Sequence, residues 1–159
     1  MDRFLSIYLN DQLAMGIAWR ELARRAQKAN RATELGDTLS RVAAEIAEDV
    51  ETFGDIMRRL RIRRNLAKGA LTTLAERIGR LKPNGRVATY SPLSRFEELE
   101  VLIMGIEGKK QLWNTLDQLA DLKTRLPDID FRRLIDRASR QRALLEPHRA
   151  QAGVDAFQY

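Results

Sequence analysis

The chain has 159 residues, enough for one ordinary domain with a single sizeable core, and it contains no cysteine. Zinc knuckles, thiolate nucleophiles and iron–sulfur clusters are thereby excluded. The formal charge is +6, and it is unevenly placed: residues 57–86 hold ten basic side chains against one acid, Glu76, so the remainder is net negative.

The N-terminus reads Met-Asp-Arg-Phe and continues as a charged amphipathic segment, without the apolar stretch and small-residue cleavage site of a secretory leader. No run approaches the roughly 18 apolar residues of a spanning helix. The expected location is the cytoplasm. Apolar residues then recur as Phe4, Tyr8, Met15, Ala18, Trp19, Leu22 and Ala26, the three- and four-residue spacing of one helix face. Asn30 closes that helix and Thr33 caps the next, which carries Leu35, Leu39, Val42, Ile46, Phe53, Met57 and Leu60. Between residues 63 and 90 lies a long crossover. Leu66, Ala70, Leu71, Leu74, Ile78 and Leu81 predict a helix within it that rises roughly 24 Å, stopped by Pro83-Asn84-Gly85.

Ser91-Pro92 gives a cap and a proline at the first helical position, with Ser94 and Glu97 placed as a capping box. The third long helix follows on Leu99, Leu102, Ile106, Trp113, Leu116 and Ala120. Beyond Pro127, Asp128 or Asp130 caps a fourth on Phe131, Leu134, Ala138 and Leu145, which Pro147 is expected to break or kink. Nothing reads as a strand or a repeat. The expected organisation is one all-α domain: a hairpin over 3–62, the basic crossover over 63–90, a second hairpin over 91–146 and a tail over 147–159. Two hairpins joined by a long crossover is the ferritin-like four-helix arrangement; an irregular five-helix bundle competes with it.

A ferritin-like interior raises the question of a carboxylate-bridged metal pair, which would want inward Glu residues and Glu-x-x-His pairs. The one histidine, His148, follows Leu145 by three, so the motif is missing, and its place beside Pro147 reads as surface. Projected at 100° per residue, Asp11 and Asp49 fall within or at the edge of the apolar arcs of the first two helices. On the third, Lys110 and Asp117 fall on the core face, with Glu107 one turn before Lys110. A lysine pointing inward replaces the positive charge a metal would supply. The expected interior is therefore a metal-free, cofactor-free ion cluster of Asp11, Asp49, Lys110 and Glu107; the plainer alternative is solvated rim charges.

The segment Gly105-Ile106-Glu107-Gly108-Lys109-Lys110-Gln111-Leu112-Trp113, with Tyr8-Leu9-Asn10-Asp11 and Ser91-Pro92-Leu93-Ser94, resembles an uncharacterised bacterial family of helical-bundle proteins. The resemblance implies a ferritin-like architecture over most of the chain and brings no activity with it. Ser-His-Asp and Cys-His chemistry lacks material, and the glycines form no phosphate loop. Gly105 and Gly108 each cost the third helix about 1 kcal/mol against alanine, which close helix approach or space for a ligand would explain.

The basic stretch remains. Arg58, Arg59, Arg61, Arg63 and Arg64 straddle the end of the second helix, and Lys68, Arg77, Arg80, Lys82 and Arg86 continue along the crossover. Candidate partners through this surface are nucleic acid, an anionic membrane or an acidic protein, with a homodimer as a further candidate. No aromatic occurs within this stretch before Tyr90, so stacking on single-stranded bases lacks its platform. A solvated face paired with Glu97, Glu98 and Glu100 is the plain alternative. The reading is a non-enzymatic binding or structural protein whose basic crossover docks an anionic partner. The enzyme alternative is a non-haem metal oxidase using Asp11, Asp49 and Glu107.

Overall fold

The computed structural model describes residues 3–66, 76 and 90–158, and among them the chain is all-helical, without a strand. Five helices occur in order: α1 (Arg3–Ala29), α2 (Glu34–Arg59), α3 (Pro92–Gln118), the short α4 (Ala120–Arg125) and α5 (Phe131–Phe157). The predicted crossover helix and its stop lie outside the described residues, apart from Leu66, which is non-helical, and Glu76, which is helical. No described helix is long and apolar enough to cross a membrane.

Side-chain caps begin three of the long helices, each filling an orphan N–H of a first turn. Thr33 accepts from Gly36 N at 3.0 Å, Ser91 from Ser94 N at 3.1 Å and Asp130 from Arg133 N at 3.0 Å. The end of α2 is a Schellman motif, with Ile62 N donating to Met57 O and Arg61 N to Arg58 O. Arg61 occupies its left-handed position at φ 59°. The hydrophobic closure of that motif is present, since Met57 and Ile62 are both buried.

Four long helices share two stacked clusters of apolar side chains. The first joins Leu22, Leu39, Ile46, Leu102, Ile106 and Leu145; the second joins Leu9, Phe53, Met57, Trp113, Leu116 and Phe131. Each fully buried leucine here contributes roughly 2 kcal/mol by leaving water. Phe53 meets Trp113 edge-on at 5.8 Å between ring centroids. Around the bundle α1 touches α2 and α3, and α5 touches α3 and α2. Cross-helix bonds fix the directions. On α1 and α3, Trp19 pairs with Val101 and Arg25 with Glu98; on α2 and α5, Thr38 pairs with His148 and Glu48 with Arg137. Partners run in opposite order, so both pairs are antiparallel.

Two expectations change. The last helix does not stop at residue 146: α5 passes through Pro147 to Phe157, so residues 147–157 are helix rather than tail. Pro147 stands on the exposed face, while Leu145 and Ala152 are buried on either side of it and Arg149 bonds Glu146 and Glu100. Packing on both sides thus outweighs the missing N–H. The connection after the third helix also carries a helix of its own, α4, whose Leu122 joins the second cluster and is followed by the buried Leu126.

Candidate functional site

Asp49 is the centre of the interior polar network, at 2% exposure. Lys109 Nζ donates to Asp49 Oδ2 at 2.5 Å and to Gln141 Oε1 at 2.6 Å. Arg137 grips Asp49 Oδ1 with one guanidinium nitrogen and Glu48 with another at 2.8 Å. Gln141 Nε2 in turn donates to Glu45 at 3.0 Å. Burial pulls the Lys109 ammonium below the usual lysine range, with Asp49 opposing it. Burial also works against the Arg137 cation, but Asp49 and Glu48 outweigh it and hold its pKa above the ordinary value. The network bridges α2, α3 and α5, so its geometry depends on the packed bundle.

Of the four interior charges expected, the structure brings only Asp49 into this network. Asp11 is exposed, because the buried stripe of α1 runs through Leu9, Leu13, Leu22 and Ala26 while Phe4 and Met15 face solvent. Phe4 and Met15 swing the projected arc towards Asp11, away from the face that packs. Glu107 is half-buried and accepts from Gln111 at 3.1 Å. Lys110 is half-buried, and its neighbour Lys109 supplies the interior ammonium. The carboxylates of the oxidase alternative therefore do not converge, and no group of three metal-ligating side chains is gathered among the described residues.

Lys109, Gln141 and Arg137 went unread in the sequence, although two carry a signal. Leu102, Ile106, Lys109, Trp113 and Leu116 alternate spacings of four and three, as do Leu134, Ala138, Gln141 and Leu145 in the same order. That alternation marks the seam of a helix pair and places Lys109 and Gln141 in core slots.

The arginines at the end of α2 are held by a second device. The carboxamide of Asn10, itself buried, donates from Nδ2 to Arg63 O at 3.1 Å and accepts from Asn65 N at 2.6 Å. The segment leaving α2 is thus clamped to α1 by its backbone, while Arg61, Arg63 and Arg64 remain exposed. None of these three forms an ion pair among the described residues. With Arg58 and Ile62 they line a shallow depression of about 370 Å³. Arg58 pairs with Asp55, and Arg59 holds Asp128 through its two terminal guanidinium nitrogens at 2.9 and 2.6 Å. That contact with Asp128 raises the Arg59 pKa and lowers that of Asp128. Arg59 therefore ties α2 to the loop before α5. Lys68, Arg77, Arg80, Lys82 and Arg86 lie outside the described residues.

At the other end of α1, Asn30 receives the returning chain. Its Nδ2 donates to the Tyr90 hydroxyl at 2.9 Å and its Oδ1 accepts from Arg95 at 3.1 Å. Tyr90 donates to the buried Glu98 at 3.0 Å, and Arg25 donates to the same carboxylate at 3.2 Å. Burial raises both acids: the Tyr90 phenol to about 12, and the Glu98 carboxyl above its ordinary 4.5. Among the described residues Glu98 is held by Arg25 and Tyr90, and not by the arginines at the end of α2. His148 is half-buried, 3.2 Å from the Thr38 hydroxyl.

A cavity of about 150 Å³ opens between α1 and α3 and reaches inward to Asp49 and Lys109. Comparison with known proteins yields no matching family, no matching curated protein and no matching solved structure.

Proposed function

We propose that the protein is a non-enzymatic helical scaffold that docks a phosphate-bearing anionic partner through the arginines at the end of α2. The observation that carries the reading is the Asn10 clamp. It fixes the backbone on which stand Arg61, Arg63 and Arg64, three guanidinium groups without an ion pair among the described residues. Ordering a loop in advance lowers the entropy cost of binding. The bias is to arginine, whose planar fork matches phosphate oxygens in pairs where lysine offers a point charge. A nucleic-acid backbone is the partner class that fits best. Exposed apolar side chains also stand near the cluster, Phe4 and Ile7 on the first turns of α1 and Leu66 beyond the clamp, so an anionic membrane is the competing partner class.

The bundle itself is read as ferritin-like, in keeping with the resemblance in sequence. Support comes from the antiparallel neighbours α1–α3 and α2–α5 and from the two asparagines. Chain leaves α2 beside Asn10, near the start of α1, and enters α3 beside Asn30, at its end. Such a path makes α2 and α3 parallel, as a long crossover requires.

The test is binding of a short labelled DNA duplex by fluorescence anisotropy across a salt series. Each phosphate neutralised contributes about −0.9 to the slope of log K against log salt. Replacing Arg61, Arg63 and Arg64 by Gln is expected to weaken binding and flatten that slope by about 2–3 units. Unchanged affinity and slope in the triple variant would remove the arginine cluster from the function. Tighter, saturable binding to phosphatidylserine vesicles than to the duplex would assign the surface to a membrane instead.

A further inference from the structure

Gly54 lies buried in the last two turns of α2, where glycine costs helix stability against alanine. The atoms nearest to a Cβ placed there all belong to the side chain of Arg64, and such a Cβ would overlap its guanidinium group. Close helix approach therefore does not account for this glycine. At Gly105 the neighbour is the Trp19 indole of α1, and at Gly36 it is the Asn30 carbonyl. Gly54 is instead a notch that one arginine fills.

The chain returns to that notch because the Schellman motif turns it at Arg61 and Ile62 is buried. Asn10 then holds the backbone on both sides of Arg64, at Arg63 O and Asn65 N. Backbone and side chain of Arg64 are thus both fixed, the one to α1 and the other to α2. Yet Arg64 remains exposed and has no ion pair among the described residues. Asp55, beside Gly54, is taken by Arg58 and Arg59. Arg58 follows Gly54 by four residues, one turn on along the same face, and lines with Arg64 the depression at the end of α2. A guanidinium fixed in advance and left without a carboxylate is suited to an anion from outside.

We infer that Gly54 is the positioning residue of the docking surface: its missing side chain seats the Arg64 guanidinium beside Arg58, so that the two take one phosphate group of the partner. The inference rests on the phosphate-docking reading of the cluster, and adds which arginine is preorganised and by what. A loose side chain must give up rotamer freedom on binding, and the seat removes that cost beforehand. Alanine at position 54 leaves every charge in the chain and unseats one guanidinium.

The test is a double-mutant cycle on duplex binding across the salt series, with urea denaturation of each variant. Gly54→Ala is expected to bind about twofold to tenfold more weakly, the range set by ordering one long side chain, with its salt slope unchanged. Its urea midpoint should not fall, because the guanidinium can swing off the helix and alanine favours the helix. Arg64→Gln should weaken binding and also reduce the slope by about 1. In that background Gly54→Ala should change affinity by less than about twofold. Arg64→Lys keeps both the charge and Gly54, and should bind like Gly54→Ala because the planar fork is gone. Parental binding by Gly54→Ala or by Arg64→Lys overturns the inference, as does an equal loss from Gly54→Ala with and without Arg64. A lower urea midpoint for Gly54→Ala also overturns it, by making the glycine a packing requirement. Failure of the seat alone leaves the loss of binding in the Arg61, Arg63 and Arg64 triple variant intact, whereas parental affinity and slope in that variant sink the docking reading itself.

Discussion

Trp19 donates its indole N–H to the main-chain carbonyl of Val101 at 2.9 Å, across the α1–α3 contact. The ring can approach the backbone of α3 that closely only because residue 105, one turn on, has no side chain; a Cβ there would overlap the indole. Gly105 therefore sets the distance between two helices.

From this pairing follows a contrast of sign on one helix. Gly105→Ala gains about 1 kcal/mol of helix propensity but must displace the indole and break its hydrogen bond, and overpacking alone costs about 1–3 kcal/mol. A net destabilisation of about 1–2 kcal/mol is expected. Gly108→Ala meets open space and should stabilise by about 0.5–1 kcal/mol. Urea denaturation of both variants measures the pair, and equal shifts in one direction would contradict the account of position 105.

Asp49 stabilises two cations that have been taken out of water. Asp49→Ala leaves Lys109 without its carboxylate and Arg137 with only the exposed Glu48. Breaking a buried pair from one side costs about 3–5 kcal/mol. Removing Lys109 as well, as Asp49→Leu with Lys109→Met, should cost less than Asp49→Leu alone, because no unpaired ammonium remains inside. If the double variant instead loses the sum of the two single losses, Asp49 and Lys109 are not energetically coupled.

Much of the architecture was legible because long helices repeat their signals. Seven apolar positions at three- and four-residue spacing located the core face of α2, and Asp49 with it. Thr33, Ser91 and Asp130 cap because a short oxygen-bearing side chain before an apolar run answers the orphan N–H groups. Asp11 misled because Phe4 and Met15 are exposed, and composition does not reveal which apolar residues the bundle leaves outside. Pro147 misled because the packing on both sides of it is tertiary. The Asn10 clamp spans 53 residues of sequence, and a carboxamide gives no sign of which distant backbone it will hold.

Tyr90 makes the fold sensitive to alkali. Its phenol is raised from 10 to about 12 by burial, so the folded state favours the protonated form. That contribution to stability is full below pH 10 and is lost as pH rises through 12. In a near-ultraviolet absorbance titration, one of the three tyrosines should ionise near pH 12. Tyr90→Phe should be less stable at neutral pH, having lost the bonds to Asn30 and Glu98, and its stability should fall less steeply between pH 10 and 12. A variant with the same alkaline slope as the parent would place the sensitivity elsewhere.

Arg61 separates binding from folding. It stands at φ 59°, in the position of the Schellman motif where glycine is the least strained residue. A non-glycine residue pays roughly 1–2 kcal/mol there, and part of that is regained as unfolded-state entropy when a side chain replaces glycine. Arg61→Gly is therefore expected to stabilise the protein by about 0.5–1 kcal/mol, read as a higher urea midpoint with an unchanged slope. The same variant removes one exposed guanidinium from the cluster and should weaken duplex binding, with its salt slope reduced by about 1. A gain in stability together with a loss of binding would mean that this chain keeps a strained arginine for the sake of its charge. If Arg61→Gly raises stability and leaves duplex binding untouched, the docking surface does not extend to the end of α2, and the function proposed for the cluster loses its best-placed residue.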